Sequence, residues 1–119
     1  FSVDAVPAKT AAATRNLDAA GLAEFVTLTT AEGADFAESL PEQIDFVLVD
    51  FGLPAFLPAY ERMRTKLSAR ATLFVDGGPE GHWLQEPNLS CVKQLEADDR
   101  LLLMRLPMHK EHLLAVTLT

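Results

Sequence analysis

The chain alternates strand-like and helix-like segments along most of its length and breaks that alternation only at its end. Leu101–Leu106 and His112–Leu118 are two apolar runs joined by PMHKE, and so short a link forces an antiparallel pair. Ahead of them, FSVD at 1–4 reads as the end of a buried strand. Pro7 stands where a first helical turn tolerates a missing N–H. Val6, Thr10, Ala13, Leu17 and Ala20 fall on one helix face, and Gly21 supplies the stop. Phe25–Thr29 (FVTLT) is short and rich in β-branched residues, which predicts a strand. A small helix follows over Asp35–Leu40, closed by Pro41.

Ile44–Asp50 (IDFVLVD) is the clearest strand, apolar almost without a break after Asp45, as suits a parallel strand covered on both faces. Phe56, Tyr60, Met63 and Leu67 trace a helical stripe. Ala71–Val75 (ATLFV) is the next buried strand, ended by Asp76-Gly77-Gly78. Pro79–Pro87 has the composition of an exposed loop, and Leu89, Val92 and Leu95 suggest a short helix. Strand and helix in strict alternation predict one α/β domain over residues 1–119 with a mostly parallel sheet, to which the closing hairpin adds an antiparallel pair. A flavodoxin-like domain would close on a helix instead.

Composition removes several functions. Seventeen acidic against ten basic residues leave a formal charge of −7, and a chain that repels polyanions is a poor nucleic-acid binder. No apolar run approaches the ~20 residues that span a bilayer, so no membrane partner is expected. The single cysteine, Cys91, cannot form an internal disulfide, which fits a cytoplasmic protein. The chain begins at Phe1 without an initiator Met or a signal-peptide pattern, and reads as a piece of a longer gene product.

In an open parallel sheet, ligands collect at the carboxyl ends of the strands. Asp4, Glu32, Asp50 and Asp76 all fall at or just beyond such ends. A carboxylate there can accept two hydrogen bonds from a ribose, and a pair such as Asp50 and Asp76 could instead hold a hard divalent cation. Other residues have plainer readings. Trp83 beside His82 either shapes an acceptor pocket or covers the edge of the core. His109 and His112 lack a third ligand at zinc spacing, Cys91 has no base partner, and Asp98-Asp99-Arg100 reads as a solvated turn.

The segment FSVDAVPAKTAAATRNLDAAGL, then FVTLTTAEG, IDFVLVD, PAYERMRTKL and ATLFVDGG, resembles the class I S-adenosylmethionine-dependent methyltransferases. Within them it is most similar to the small-molecule O-methyltransferases of the catechol and caffeoyl-CoA type, over nearly all of the chain and including LLLMRLPMHKEHLLAVTL. The resemblance implies a Rossmann-like methyltransferase sheet, S-adenosylmethionine as cofactor and a small-molecule hydroxyl as methyl acceptor. It places Asp4 on the cofactor ribose, Glu32 and Gly33 beside the adenine, and Asp50 next to the transferred methyl as the catalytic residue. It also makes Asp50 and Asp76 the carboxylates that bind Mg²⁺ in metal-dependent members. The family's first strand and its glycine-rich turn would lie before Phe1, so the resemblance is to an N-terminally truncated domain. The Asn that commonly follows the second metal carboxylate is Gly77, and the Lys three residues beyond the first is Leu53.

Loss of the family's central strand leaves three outcomes. The piece is supplied elsewhere, its two neighbours pair directly, or two chains share a sheet as a homo-oligomer. Two other functions compete with an active parent methyltransferase. One is a non-catalytic interaction module on the same architecture. The other is a receiver-like signalling domain, for which VLVDFGLP, with Asp50 and Lys110, is the segment to test.

Overall fold

Pro7 and Gly21 delimit the first helix, as their chemistry predicts. In the computed structural model, which describes residues 1–119, α1 spans Pro7–Ala20, and Gly21 closes it with φ +68° and backbone bonds to Leu17 and Asp18. Only glycine adopts that left-handed conformation without penalty. Strand β1 (Ser2–Asp4) precedes the helix and β2 (Leu28–Thr30) follows it. Next come α2 (Gly33–Ser39), β3 (Ile44–Val49), α3 (Leu53–Met63) and β4 (Leu67–Gly78). Helix α4 (Asn88–Glu96) and the hairpin of β5 (Leu101–Pro107) and β6 (Glu111–Thr117) complete the chain.

The α/β architecture is the expected one, with one qualification: the sheet is in two parts. β1 and β2 form a parallel pair, and β3-β4-β6-β5 form a second sheet, parallel between β3 and β4 and antiparallel thereafter. β1 and β3 are not hydrogen-bonded to each other, so direct pairing across the missing position does not occur. β1 is correspondingly exposed to half-buried rather than buried.

Strand alternation decides what packs where. Val49, Leu73, Val75, Leu113 and Ala115 face one side and pack with Phe56, Ala59, Tyr60 and Met63 of α3 and Val92 and Leu95 of α4. The other side carries Phe46 and Leu48, 60% and 62% exposed. β3 is therefore covered on one face and not on both. Its apolar outward residues still obey the pattern of a doubly covered strand, which is why the sequence reads that way.

Three further expectations are corrected. Ala23–Phe25 is a 3₁₀ turn and the strand starts only at Leu28, because the chain leaving Gly21 must first turn back toward β1. Leu67 opens β4 rather than ending the α3 stripe. Asp76-Gly77-Gly78 continues β4 instead of ending it. A Cβ on Gly77 would collide with the Glu111 carbonyl oxygen and stand 2.6 Å from the Trp83 ring, so glycine here serves a close crossing of strands and not a turn. That ring is 1% exposed on a 3₁₀ turn (His82–Leu84) inside the stretch expected to be an exposed loop.

Buried polar atoms are mostly answered. Thr10 and Thr30 share a hydroxyl hydrogen bond of 2.6 Å that ties α1 to β2. The Thr117 hydroxyl accepts the Ala71 N–H and donates to the Ser68 carbonyl, each at 2.8 Å. Lys66 donates to the Ala37, Glu38 and Leu40 carbonyls and so caps the C-terminus of α2, where a cation also meets the negative end of the helix dipole. Trp83 Nε1 is buried with no partner.

Candidate functional site

The carboxyl ends of β1, β2 and β3 open onto one cavity of about 910 Å³, lined mostly by hydrophobic residues. Asp4, Glu32, Gly33 and Asp50 all line it. Three stretches widely separated in sequence, at Asp4, Glu32-Gly33 and Asp50, thus meet because each ends a strand or lies within three residues of a strand's end, and parallel strands deliver their ends to the same rim.

Each side chain arrives by a definite local device. Asp4 Oδ1 accepts the Val6 N–H at 2.8 Å, which holds the turn into α1, while Oδ2 stands 3.8 Å from Lys9 Nζ. Glu32 occupies the N-cap of α2, yet its side chain makes no capping hydrogen bond, so its carboxylate stays free at the rim. Gly33 lies under the Phe51 ring, and a Cβ there would come within 3.0 Å of it. Phe51 is stacked edge-on against Phe56 at 6.2 Å. Asp50 follows β3 and lines the cavity beside Phe51. Sequence reading missed the aromatic wall of Phe36 and Phe51 and the nearby Lys9. The spacing of Phe36 in α2 and Leu40 just after it is the one local signal that a helix face turns inward there.

Asp76 is elsewhere. It sits on the uncovered face of the second sheet, with Oδ1 3.1 Å from His112 Nδ1 and Oδ2 3.5 Å from Lys110 Nζ, and it does not line the cavity. Desolvation pushes its carboxyl up, but Lys110 and then His112 outweigh this and hold it below the usual carboxylate range. His112 packs against Phe74 with ring centroids 5.1 Å apart. No group of three or more His, Cys, Asp or Glu side chains comes close enough to share a metal ion. The residues at Asp50 and Asp76 therefore do not fit a resident Mg²⁺. The physical reason is that the strand continues through Asp76-Gly77-Gly78 and spends the Asp76 carboxylate on the hairpin, so it never reaches the rim.

Two other expectations change. The Asp98 side chain is not a solvated turn: it is 10% exposed, accepts the Tyr60 hydroxyl at 2.6 Å and is gripped by Arg100 through Nε at 3.2 Å and Nη2 at 3.1 Å. Trp83 belongs to the core and not to an acceptor pocket. The receiver-like reading also fails, because the chain closes on a β-hairpin and Lys110 contacts Asp76 rather than Asp50.

No protein-family model and no curated protein sequence matches the chain. Solved structures do. A methyltransferase from Geobacter sulfurreducens superposes with a TM-score of 0.76 at 22% identity, over 98% of this chain and 57% of its own. The O-methyltransferase of Bacillus cereus, solved in complex with SAH, gives 0.78 at 16% identity, over 97% and 60%. The O-methyltransferase TomG of Streptomyces achromogenes, solved in complex with SAM, gives 0.82 at 16%, over 98% and 60%. The chain thus spans about three fifths of the length of these structures. With its parallel strands, its closing antiparallel hairpin and these superpositions, the chain has the Rossmann-like fold of class I methyltransferases.

Proposed function

We propose that this chain forms part of an S-adenosylmethionine-dependent methyltransferase that transfers a methyl group to a hydroxyl of a small molecule. The observation that carries the reading is the convergence of Asp4, Glu32, Gly33 and Asp50 on one cavity at the strand ends. SAM or SAH is bound in two of the structures that share this fold.

In this reading Asp4 accepts hydroxyl hydrogen bonds from the ribose through Oδ2, Oδ1 being engaged by the Val6 N–H. Glu32, free of any capping role, accepts from the adenine amino group, and the bare backbone at Gly33 leaves the Phe51 ring room to cover the base. When bound, the cofactor supplies an electrophilic methyl group on a sulfonium centre. Asp50 orients the acceptor hydroxyl, accepts its hydrogen bond and takes up its proton as the oxygen is methylated. The Phe36, Phe51 and Ala55 wall keeps water away from the approach line. Most of the acceleration in such a site comes from alignment, which needs no metal.

One observation favours a second reading, a non-catalytic module on the same fold. The second carboxylate expected near the reacting centre, Asp76, is tied to Lys110 and His112. Calorimetric titration of the folded chain with S-adenosylhomocysteine separates the two. Saturable 1:1 binding, weakened about tenfold or more in Asp4→Asn, supports the cofactor site. Absence of binding by chain shown to be folded would refute a cofactor site complete within these residues and favour the non-catalytic module.

A further inference from the structure

The closing hairpin leaves a strand edge at the end of the sheet farthest from the cavity. In the order β3-β4-β6-β5, β5 is terminal and hydrogen-bonded only to β6. Edge strands are ordinarily blunted by charge, proline or a bulge, because their free N–H and C=O groups are a template for further pairing. β5 has Pro107 at its end and one charge, Arg105; the rest is Leu101-Leu102-Leu103-Met104 and Leu106. Leu102 is 50% exposed and Met104 37%.

Which backbone groups face outward follows from the register. An antiparallel ladder bonds alternate residues. The Leu118 N–H donates to the Arg100 carbonyl, so Arg100, Leu102, Met104 and Leu106 bond toward β6. Leu101, Leu103, Arg105 and Pro107 turn their backbone outward. The Leu101 N–H already donates to the Asp98 carbonyl at 3.0 Å, and Pro107 has no N–H to offer. The donors left on the edge are the N–H groups of Leu103 and Arg105. That set is self-complementary. About a two-fold axis at Leu103, the Leu103 N–H donates to the partner's Leu103 carbonyl and the Arg105 N–H to the partner's Leu101 carbonyl. Symmetry repeats both bonds and leaves no edge donor unanswered. The side chains agree with this register. Leu102 stands opposite the partner's Met104 on the uncovered face, and Leu103 opposite the partner's Leu103 on the other. Arg105 lies diagonal to the partner's Asp99. Both are exposed, and neither takes part in an ion pair within its own chain. A chain of formal charge −7 repels its copies overall, so attraction has to be local, and this pair supplies it.

We propose that two copies of this chain join edge to edge through β5, antiparallel about a two-fold axis at Leu103, so that their β3-β4-β6-β5 sheets become one continuous sheet. Pairing of β5 with β1 or β3 of another copy would be heterologous and leave edges open to further copies, whereas β5 with β5 closes on itself. One short strand from each copy makes a small, reversible contact. The proposal rests on the edge of β5 and not on methyl transfer.

Sedimentation velocity of the chain between ~1 µM and ~1 mM, with amide exchange followed residue by residue by NMR, tests it. The expected result is monomer at the low end and dimer at the high end. The Leu103 and Arg105 amides should exchange at least ~5-fold more slowly as the dimer forms. Arg105→Glu sets a carboxylate against the partner's Asp99 and should raise the dissociation constant at least ~10-fold, while Arg105→Glu combined with Asp99→Arg should restore it. Both side chains are exposed, so the variants keep the fold, which circular dichroism checks. A chain that stays monomeric at the highest concentration would overturn the proposal. So would a dimer whose Leu103 and Arg105 amides exchange as fast as in the monomer, or one indifferent to Arg105→Glu, since another surface would then hold it.

Discussion

Replacing Asp98 by alanine tests whether the turn between α4 and β5 is a buttress or only a connection. The carboxylate accepts the Tyr60 hydroxyl at 2.6 Å, the Arg100 backbone N–H at 3.0 Å and two bonds from the Arg100 guanidinium, with Arg64 Nη1 3.8 Å away. Tyr60 is itself core, so removing the acceptor orphans a buried hydroxyl, at about 1–3 kcal/mol. Loss of the charge-assisted bond falls within the same sum. The Arg100 side chain is more than a third exposed, so its ion pair adds only about 0–1 kcal/mol after screening. The total is about 1–4 kcal/mol, the middle of which lowers the thermal midpoint of a domain this size by about 10 °C. Tyr60→Phe, which removes donor and orphan together, should cost only about 1 kcal/mol, and the double variant should cost less than Asp98→Ala alone, because no hydroxyl is left without an acceptor. Denaturant melts of the four proteins give the coupling. A loss below about 0.5 kcal/mol in Asp98→Ala would refute the buttress and restore a solvated turn.

The same site predicts a pH dependence. Arg100, through its hydrogen bonds, and then Tyr60 outweigh desolvation and hold the Asp98 carboxyl well below the carboxylate range. A depressed folded-state pKa contributes stability that is complete above the unfolded value of about 4 and is lost as the pH falls below it. Melts between pH 7 and 2 should therefore show a steeper acid loss in the native protein than in Asp98→Asn, and equal slopes would count against the pairing. Gly77→Ala should cost about 3 kcal/mol or more, because its Cβ meets backbone that cannot yield; denaturant midpoints check it. Trp83→Ala should cost about 3–5 kcal/mol by leaving a cavity, and Trp83→Phe much less, since it also removes an unpartnered N–H. S-adenosylhomocysteine affinity should be the same in Mg²⁺ and in EDTA, since no third ligand accompanies Asp50 or Asp76; a tenfold calorimetric difference would restore a metal role.

Much of the site was legible because its determinants are local. An acid at the end of an apolar run needs only the strand to form for its place on the rim to follow, and Asp4, Glu32 and Asp50 were found that way. Asp76 was misplaced because glycine carries two meanings. In Asp76-Gly77-Gly78 composition suggests a turn, but here the missing side chains admit the Glu111 carbonyl and the Trp83 ring beside a continuing strand. Asp98 was misread for a similar reason. A charged triplet is polar in any sequence, and only the approach of Tyr60, 38 residues away, makes it an acceptor in the core.

From the amino acids alone came the alternation of strand and helix, the limits of α1, the closing hairpin and the acids at the strand ends. All of these depend on contacts within a few residues or on a period of 2 or 3.6. Tertiary structure decided what depends on partners distant in sequence. It showed that β1 and β3 stay apart, that β3 is bare on one face, that Asp76 is spent on the hairpin, and that Trp83 is buried. Hydrophobic patterning records which residues need cover, and carries no information on whether the same chain provides it.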